Sequence, residues 1–218
     1  MKNNKQSWLF SFAYNVFYNY ISPKFHTSSF KNLMDYTYII FEKIAVNFEI
    51  LNISYIKIYQ ELVEKEVKLT NISSDDSVLI IGCGSIPATS ILISKKSNAK
   101  KIVSIDYDQK AIKNAIKFIK SSNFDTNLKF EHANGLNYST KTFDVIFILY
   151  GIKKQDKILE YISNNVKDTS RIIFRTTNDS LVHSLGGKDF LEKYFKIEKS
   201  ICSEKLNDTI SFLLKKKQ

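Results

Sequence analysis

From Ser77 onward, short runs of branched apolar residues alternate with stretches whose apolar residues recur every three or four positions. That alternation is the pattern of βαβ units, because a strand joined to a parallel neighbour needs a crossover long enough to hold a helix. Runs at 78–81, 102–106, 128–131, 143–149 and 171–175 read as strands. Between the second and third, Ala111, Ile112, Ala115, Ile116 and Ile119 share one helical face, with lysines opposite. Ile158, Leu159, Ile162 and Val166 repeat the arrangement between the fourth and fifth. Two further β-rich runs, 194–201 and 209–214, flank a polar turn holding Asn207 and Asp208 and predict a closing hairpin. The expected fold is α/β: a Rossmann-like, doubly wound, mostly parallel sheet.

Residues 1 to about 70 differ in character, being rich in Phe, Tyr, Ile and Asn with no glycine before Gly82. Leu33, Tyr36, Ile40, Ile44 and Phe48 fall at helical spacing, as do Tyr55, Ile58 and Leu62, with Ser54 as a candidate cap of the second helix. The expected organisation is a small N-terminal helical domain over 1–72 and a sheet domain over 73–218. The helices serve either as a layer covering the sheet or as a lid over a substrate pocket.

Composition removes several classes of function. No apolar stretch reaches the roughly 20 residues that span a bilayer. The polar residues Ser7, Asn15 and Asn19 interrupt the N-terminal aromatics, so a signal peptide is not expected and the cytoplasm is the expected location. Cys83 and Cys202 suggest no disulfide framework, and His26, His132 and His183 lack metal-ligand spacing, so no metal site is expected. The formal charge of +10 raises the question of nucleic acid. The lysines are nevertheless scattered over helix faces (Lys110, Lys113, Lys117, Lys120) and the C-terminus, which argues for a solvated surface or a field drawing in a small anionic substrate.

The segment 78–87, Val-Leu-Ile-Ile-Gly-Cys-Gly-Ser-Ile-Pro, is a strand running into a glycine turn and then a helix. Glycines permit the tight turn and close backbone approach to a ligand, while a helix N-terminus offers free N–H groups. Asp106 closes the second strand 24 positions after Gly82, where a carboxylate can accept both ribose hydroxyls. Pro87 stands where a dinucleotide fingerprint has its third glycine, and no Gly-Lys-Ser/Thr follows, so neither a dinucleotide nor a Walker-type phosphate site is indicated. The expected ligand is S-adenosylmethionine, whose enzymes commonly hold the adenine just after the third strand. Gly82, Cys83, Gly84, Ser85, Pro87, Asp106 and Tyr107 are its candidate residues, with Asn134 and Gly135 after the third strand at the adenine, or else simply a turn.

Several segments together resemble nicotianamine synthase and its relatives. The loop 81–91, Ile-Gly-Cys-Gly-Ser-Ile-Pro-Ala-Thr-Ser-Ile, is similar to that family's Gly-x-Gly-Pro-Leu-Pro-Leu-Thr-Ser/Gly-Ile loop, with Ser85 in place of its first proline. The strand 143–147, Phe-Asp-Val-Ile-Phe, is of a kind common to many methyltransferases. The strand 171–176, Arg-Ile-Ile-Phe-Arg-Thr, resembles the family's strand ending in Arg-Ser or Arg-Thr, and Tyr59-Gln60-Glu61-Leu62 its Tyr-x-Glu-Leu helix. The segment 207–211, Asn-Asp-Thr-Ile-Ser, is a further echo, and the likeness covers about residues 55 to 214.

The resemblance implies transfer of the 3-amino-3-carboxypropyl arm of S-adenosylmethionine to an amine or amino acid, making a nicotianamine-like metallophore and releasing 5′-methylthioadenosine. It implies Tyr59 as the residue that orients the amine or the arm, and Glu42 as a carboxylate base, with Asp35 and Glu49 as competitors. Arg175, at the carboxyl end of a central strand, is a candidate for binding a substrate carboxylate, and Tyr150, after the fourth strand, for packing against the bound molecule. The alternatives are a class I small-molecule methyltransferase and an RNA-modifying enzyme on the same fold. A homodimer is compatible with all three.

Overall fold

The computed structural model describes residues 49–122, 127–206 and 208–217. The chain divides into two compact units, 1–58 and 59–218, and the division falls inside the first described helix, α1 (Glu49–Thr70). Ser54 does not stand at a helix start: it lies within α1, where residues 50–53 include no glycine or proline to stop the helix.

The described strands are β1 (Ser77–Ile81), β2 (Lys101–Asp106), β3 (Leu128–His132), β4 (Val145–Ile148), β5 (Arg171–Thr177), β6 (Phe195–Cys202) and β7 (Thr209–Lys216). They form one sheet in the order β3-β2-β1-β4-β5-β7-β6, with β1 to β5 parallel and β7 antiparallel between β5 and β6. The helices of the crossovers are α2 (Ala88–Lys96), α3 (Gln109–Ser121) and α4 (Gln155–Asn165). Strand order reverses between β1 and β4, and such a switch point opens a crevice at the carboxyl ends of the strands. Every position of β4, and all of β1 after Ser77, is buried, as continuous apolar runs covered on both faces require. The edge strand β3 instead carries Lys129, Glu131 and an exposed His132.

The observed strands follow the expected ones within a few residues. The structure adds two helices between β5 and β6, α5 (Asn178–Leu185) and α6 (Lys188–Tyr194). Local chemistry explains α5: the Thr177 hydroxyl accepts the Ser180 N–H at 3.1 Å, and Gly186, at φ +77°, ends the helix.

The C-terminal half of α1 is fastened to the sheet by Arg171, the first residue of β5. Its guanidinium donates to the carbonyls of Thr70, at 2.5 Å, and Asn71, at 2.9 Å, and pairs with Asp76. Those carbonyls have no partner within the helix, so one side chain both caps α1 and docks it. On the other side, Glu61 pairs with Lys65 and accepts from the Ser203 hydroxyl at 3.1 Å, tying α1 to the turn between β6 and β7.

Candidate functional site

The glycine turn after β1 is built as its sequence demands. Gly82 and Gly84 have φ of +84° and +68°, a region that side chains disfavour. The Gly82 and Cys83 N–H groups donate to the Ile105 carbonyl at 2.8 and 3.2 Å, so the turn is pinned to the end of β2. Gly82 has a second reason to lack a side chain, since a Cβ there would stand 2.6 Å from Cγ1 of Ile152, in the loop after β4. Within the turn Cys83 is buried, and beyond it Ser85 is buried and accepts the Asn114 amide at 3.4 Å. Pro87 is the N-cap of α2 and makes no side-chain cap; the first helical N–H, of Ala88, donates back to the Ile86 carbonyl at 2.8 Å.

Asp106 organises the opposite wall. Its Oδ2 accepts the Gly84 N–H and its Oδ1 the Asp108 N–H, each at 2.9 Å. Each oxygen keeps acceptor capacity for a further donor such as a ribose hydroxyl. Burial pushes its carboxyl up from the ordinary aspartate value, against the lowering effect of the Asp108 and Gly84 N–H bonds. The next residue, Tyr107, is 59% exposed, and its carbonyl meets Nε2 of His132 at 2.9 Å. Tyr150, two residues beyond β4, is 37% exposed and precedes Gly151, whose φ is +90°. The residues present therefore fit a nucleoside: a glycine turn, a carboxylate held in place, and exposed aromatic rings at the carboxyl edge of the sheet.

Asn134 and Gly135 make a turn. The Asn134 side-chain carbonyl accepts the Leu136 N–H at 3.0 Å, which leaves its amide nitrogen, a donor, to meet a ligand. A Cβ on Gly135 would lie 2.8 Å from Cγ2 of Ile81, so packing against β1 accounts for this glycine without a ligand.

The largest departure from expectation is Arg175. Its side chain is 2% exposed, and its Nε–H and Nη2–H donate to the two carboxylate oxygens of Glu66 at 3.0 and 2.5 Å. A third donor, Nη1–H, reaches the Thr89 hydroxyl at 3.1 Å. The position expected for a substrate carboxylate is thus taken by the chain's own Glu66, which is wholly buried and also accepts the Ser211 hydroxyl at 2.6 Å. The Arg175 guanidinium carbon lies 5.6 Å from the centre of the Tyr59 ring, within range of a cation–π contact. Sequence reasoning missed Glu66, although it stands seven residues after Tyr59 on the helix face that buries Leu62 and Val63. A carboxylate on an apolar stripe was the available signal. Glu42 lies outside the described residues. Among those described, no group of His, Cys, Asp and Glu side chains could hold a metal ion, and no helix is long and apolar enough to cross a membrane.

A doubly wound sheet with an antiparallel β7, a glycine turn and a carboxylate closing β2 defines a Rossmann-like α/β protein. The family model described as "Methyltransferase domain" matches residues 72–215, and the chain belongs to that family. None of the curated proteins compared matches it. A structure of a mutant of the nicotianamine synthase MtNAS in complex with S-adenosylmethionine is similar, at 20% identity and a TM-score of 0.69 over 85% of this chain and 74% of that one. MtNAS in complex with MTA and tNA gives 19%, 0.70, 83% and 70%. An RNA methyltransferase from Salinibacter ruber, in complex with S-adenosyl-L-homocysteine, gives 13%, 0.56, 72% and 92%. These likenesses establish the methyltransferase fold.

Proposed function

We propose that the chain is an S-adenosylmethionine-dependent transferase that moves the 3-amino-3-carboxypropyl group to an amine or amino-acid acceptor, making a nicotianamine-like metal chelator and releasing 5′-methylthioadenosine. The observation that carries this reading is Tyr59, whose ring lies beside the same Arg175 guanidinium that donates to Thr89 on the helix following the glycine turn. The likeness to MtNAS supports it, since it extends over 83–85% of the chain, beyond the 72–215 matched by the methyltransferase domain. Gly82, Gly84, Asp106 and Tyr107 hold the nucleoside in this reading, with Cys83, Ser85 and Pro87 shaping the loop, Asn134 at the base and Tyr150 beside the acceptor. The sulfonium of the donor activates three adjacent carbons, so the product follows from which one the pocket aligns with the nucleophile. Tyr59 orients the arm or the amine, and Glu42 takes the proton that an attacking amine must lose.

Methyl transfer to a small molecule is the second reading, favoured by the family match itself. Incubation with S-adenosylmethionine, alone and with pooled amino acids, separates the two when the released nucleoside is identified by mass spectrometry against an enzyme-free control. Methylthioadenosine above the control is the expected result. S-adenosylhomocysteine in its place makes the protein a methyltransferase, and its release only when RNA is added makes that RNA the acceptor.

A further inference from the structure

The chain has two arginines among its 32 basic Lys and Arg residues, and both stand on β5. Residues 171 and 175 are an even number apart on a strand and so lie on one face, and both reach α1. Arg171 does so at the end of the helix, where capping explains it. Arg175 does so in the interior, and stability explains it poorly. A fully buried ion pair loses on desolvation about what it gains in attraction, and apolar residues of similar volume often replace it without loss.

The geometry of the pair indicates what else it does. Four elements meet on it: α1 through Glu66 and Tyr59, α2 through Thr89, β5 through Arg175, and β7 through Ser211, which is also Arg175's register partner across the antiparallel ladder. Thr89 is the second residue of α2, two positions beyond the end of the glycine loop at Pro87. A planar guanidinium has donors in fixed directions, so bonds to Glu66 and Thr89 at once set α1 relative to the start of α2. The same plane lies near the Tyr59 ring.

We propose that Arg175, held by Glu66, is a positioning residue of the transfer: it fixes the Tyr59 ring relative to the first turn of α2 and hence to the donor bound at the loop. The proposal rests on Tyr59 acting on the transferred arm or its acceptor, as above. Arg175 itself makes no contact with the reacting atoms and acts only through Tyr59.

The test uses the full chain with Arg175→Lys, Glu66→Gln and the paired change Glu66→Leu with Arg175→Met, which replaces the ion pair by apolar volume. Cooperative thermal melting and unchanged circular dichroism identify the variants that fold, and the paired change keeps the test available where a single change does not fold. In folded variants, the S-adenosylmethionine dissociation constant and the acceptor KM stay within about threefold of the parent, while kcat for nucleoside release falls about tenfold or more. In a Tyr59→Phe background the same changes add little further loss, because both act at one point. Full kcat in a folded paired variant overturns the proposal, as does a loss that adds in full to that of Tyr59→Phe. The identity of the nucleoside tests the functional reading separately, since the split between kcat and KM can be measured on either product. A parent protein that releases neither nucleoside overturns both.

Discussion

The Glu66 carboxylate lies against the Arg175 guanidinium with both of its oxygens engaged, at 3.0 and 2.5 Å, and with exposures of 0 and 2%. Removing one partner leaves the other charge in the interior without its counter-ion. Glu66→Ala and Arg175→Ala should each destabilise the fold by about 3–5 kcal/mol. Replacing both by apolar residues of similar volume should leave stability near that of the parent. Urea unfolding of the four proteins checks this, and near-additive losses in the double variant would contradict it.

Gly82 faces two separate obstacles to a side chain, and they can be pulled apart. Its φ of +84° strains any other residue, and a Cβ would press on Ile152. Gly82→Ala should lose about 1–3 kcal/mol from backbone conformation, with a further loss from the contact. Adding Ile152→Ala to Gly82→Ala should recover only the contact part. Thermal melting of the single and double variants measures the division, and complete recovery would mean that the backbone contributes nothing.

Gly135 gives a contrasting case, since its φ imposes no such strain and only Ile81, stiff at its branched Cβ, stands in the way. Gly135→Ala should destabilise the fold by about 1–3 kcal/mol through overpacking. Ile81→Val, which removes only the terminal Cδ1 and leaves Cγ2 in place, should recover little of this, while Ile81→Ala, which removes Cγ2, should relieve the clash at the expense of a cavity. If Gly135→Ala instead melts like the parent and binds S-adenosylmethionine less well, the glycine belongs to the ligand and not to β1.

The parts of this architecture that were legible in the sequence are those fixed by neighbours along the chain. Runs such as 78–81, four branched or apolar residues ending at a glycine turn, are too short for a helix and read as buried strands, and the glycine turn with Asp106 draws its meaning from spacing. Helices α5 and α6 escaped because they are short and lack a long apolar stripe, although Thr177 and the pair Gly186 and Gly187 mark their boundaries. Arg175 was singled out by its expected place at a strand end, although β5 runs two residues further, to Thr177; its partner was not found, because Glu66 lies 109 residues away in sequence and is joined to it only by docking of α1. Short-range pattern identifies a charged residue worth notice; which charge it meets is a property of the tertiary fold.

Asp106 makes the nucleoside site sensitive to acid in a definite direction. A ribose hydroxyl can donate to a carboxylate, whereas a protonated carboxyl has lost part of its acceptor capacity. Burial, the largest influence, outweighs the Asp108 and Gly84 N–H bonds and holds the group above its ordinary value of 3.8. S-adenosylmethionine affinity should therefore weaken as pH falls through that raised value, earlier than an ordinary aspartate would allow. The sign for the unliganded fold is opposite. A carboxyl with a higher pKa folded than unfolded binds protons more readily in the native state, so its contribution to stability is greatest in acid and declines as pH rises through the folded value. Calorimetric titration with S-adenosylmethionine from about pH 8 down to about pH 4.5, paired with melts in the absence of ligand, measures both trends. Asp106→Asn should bind more weakly at neutral pH and lose this part of the pH dependence of binding. An affinity in the parent protein that stays flat over that range would show that the ribose does not rest on Asp106.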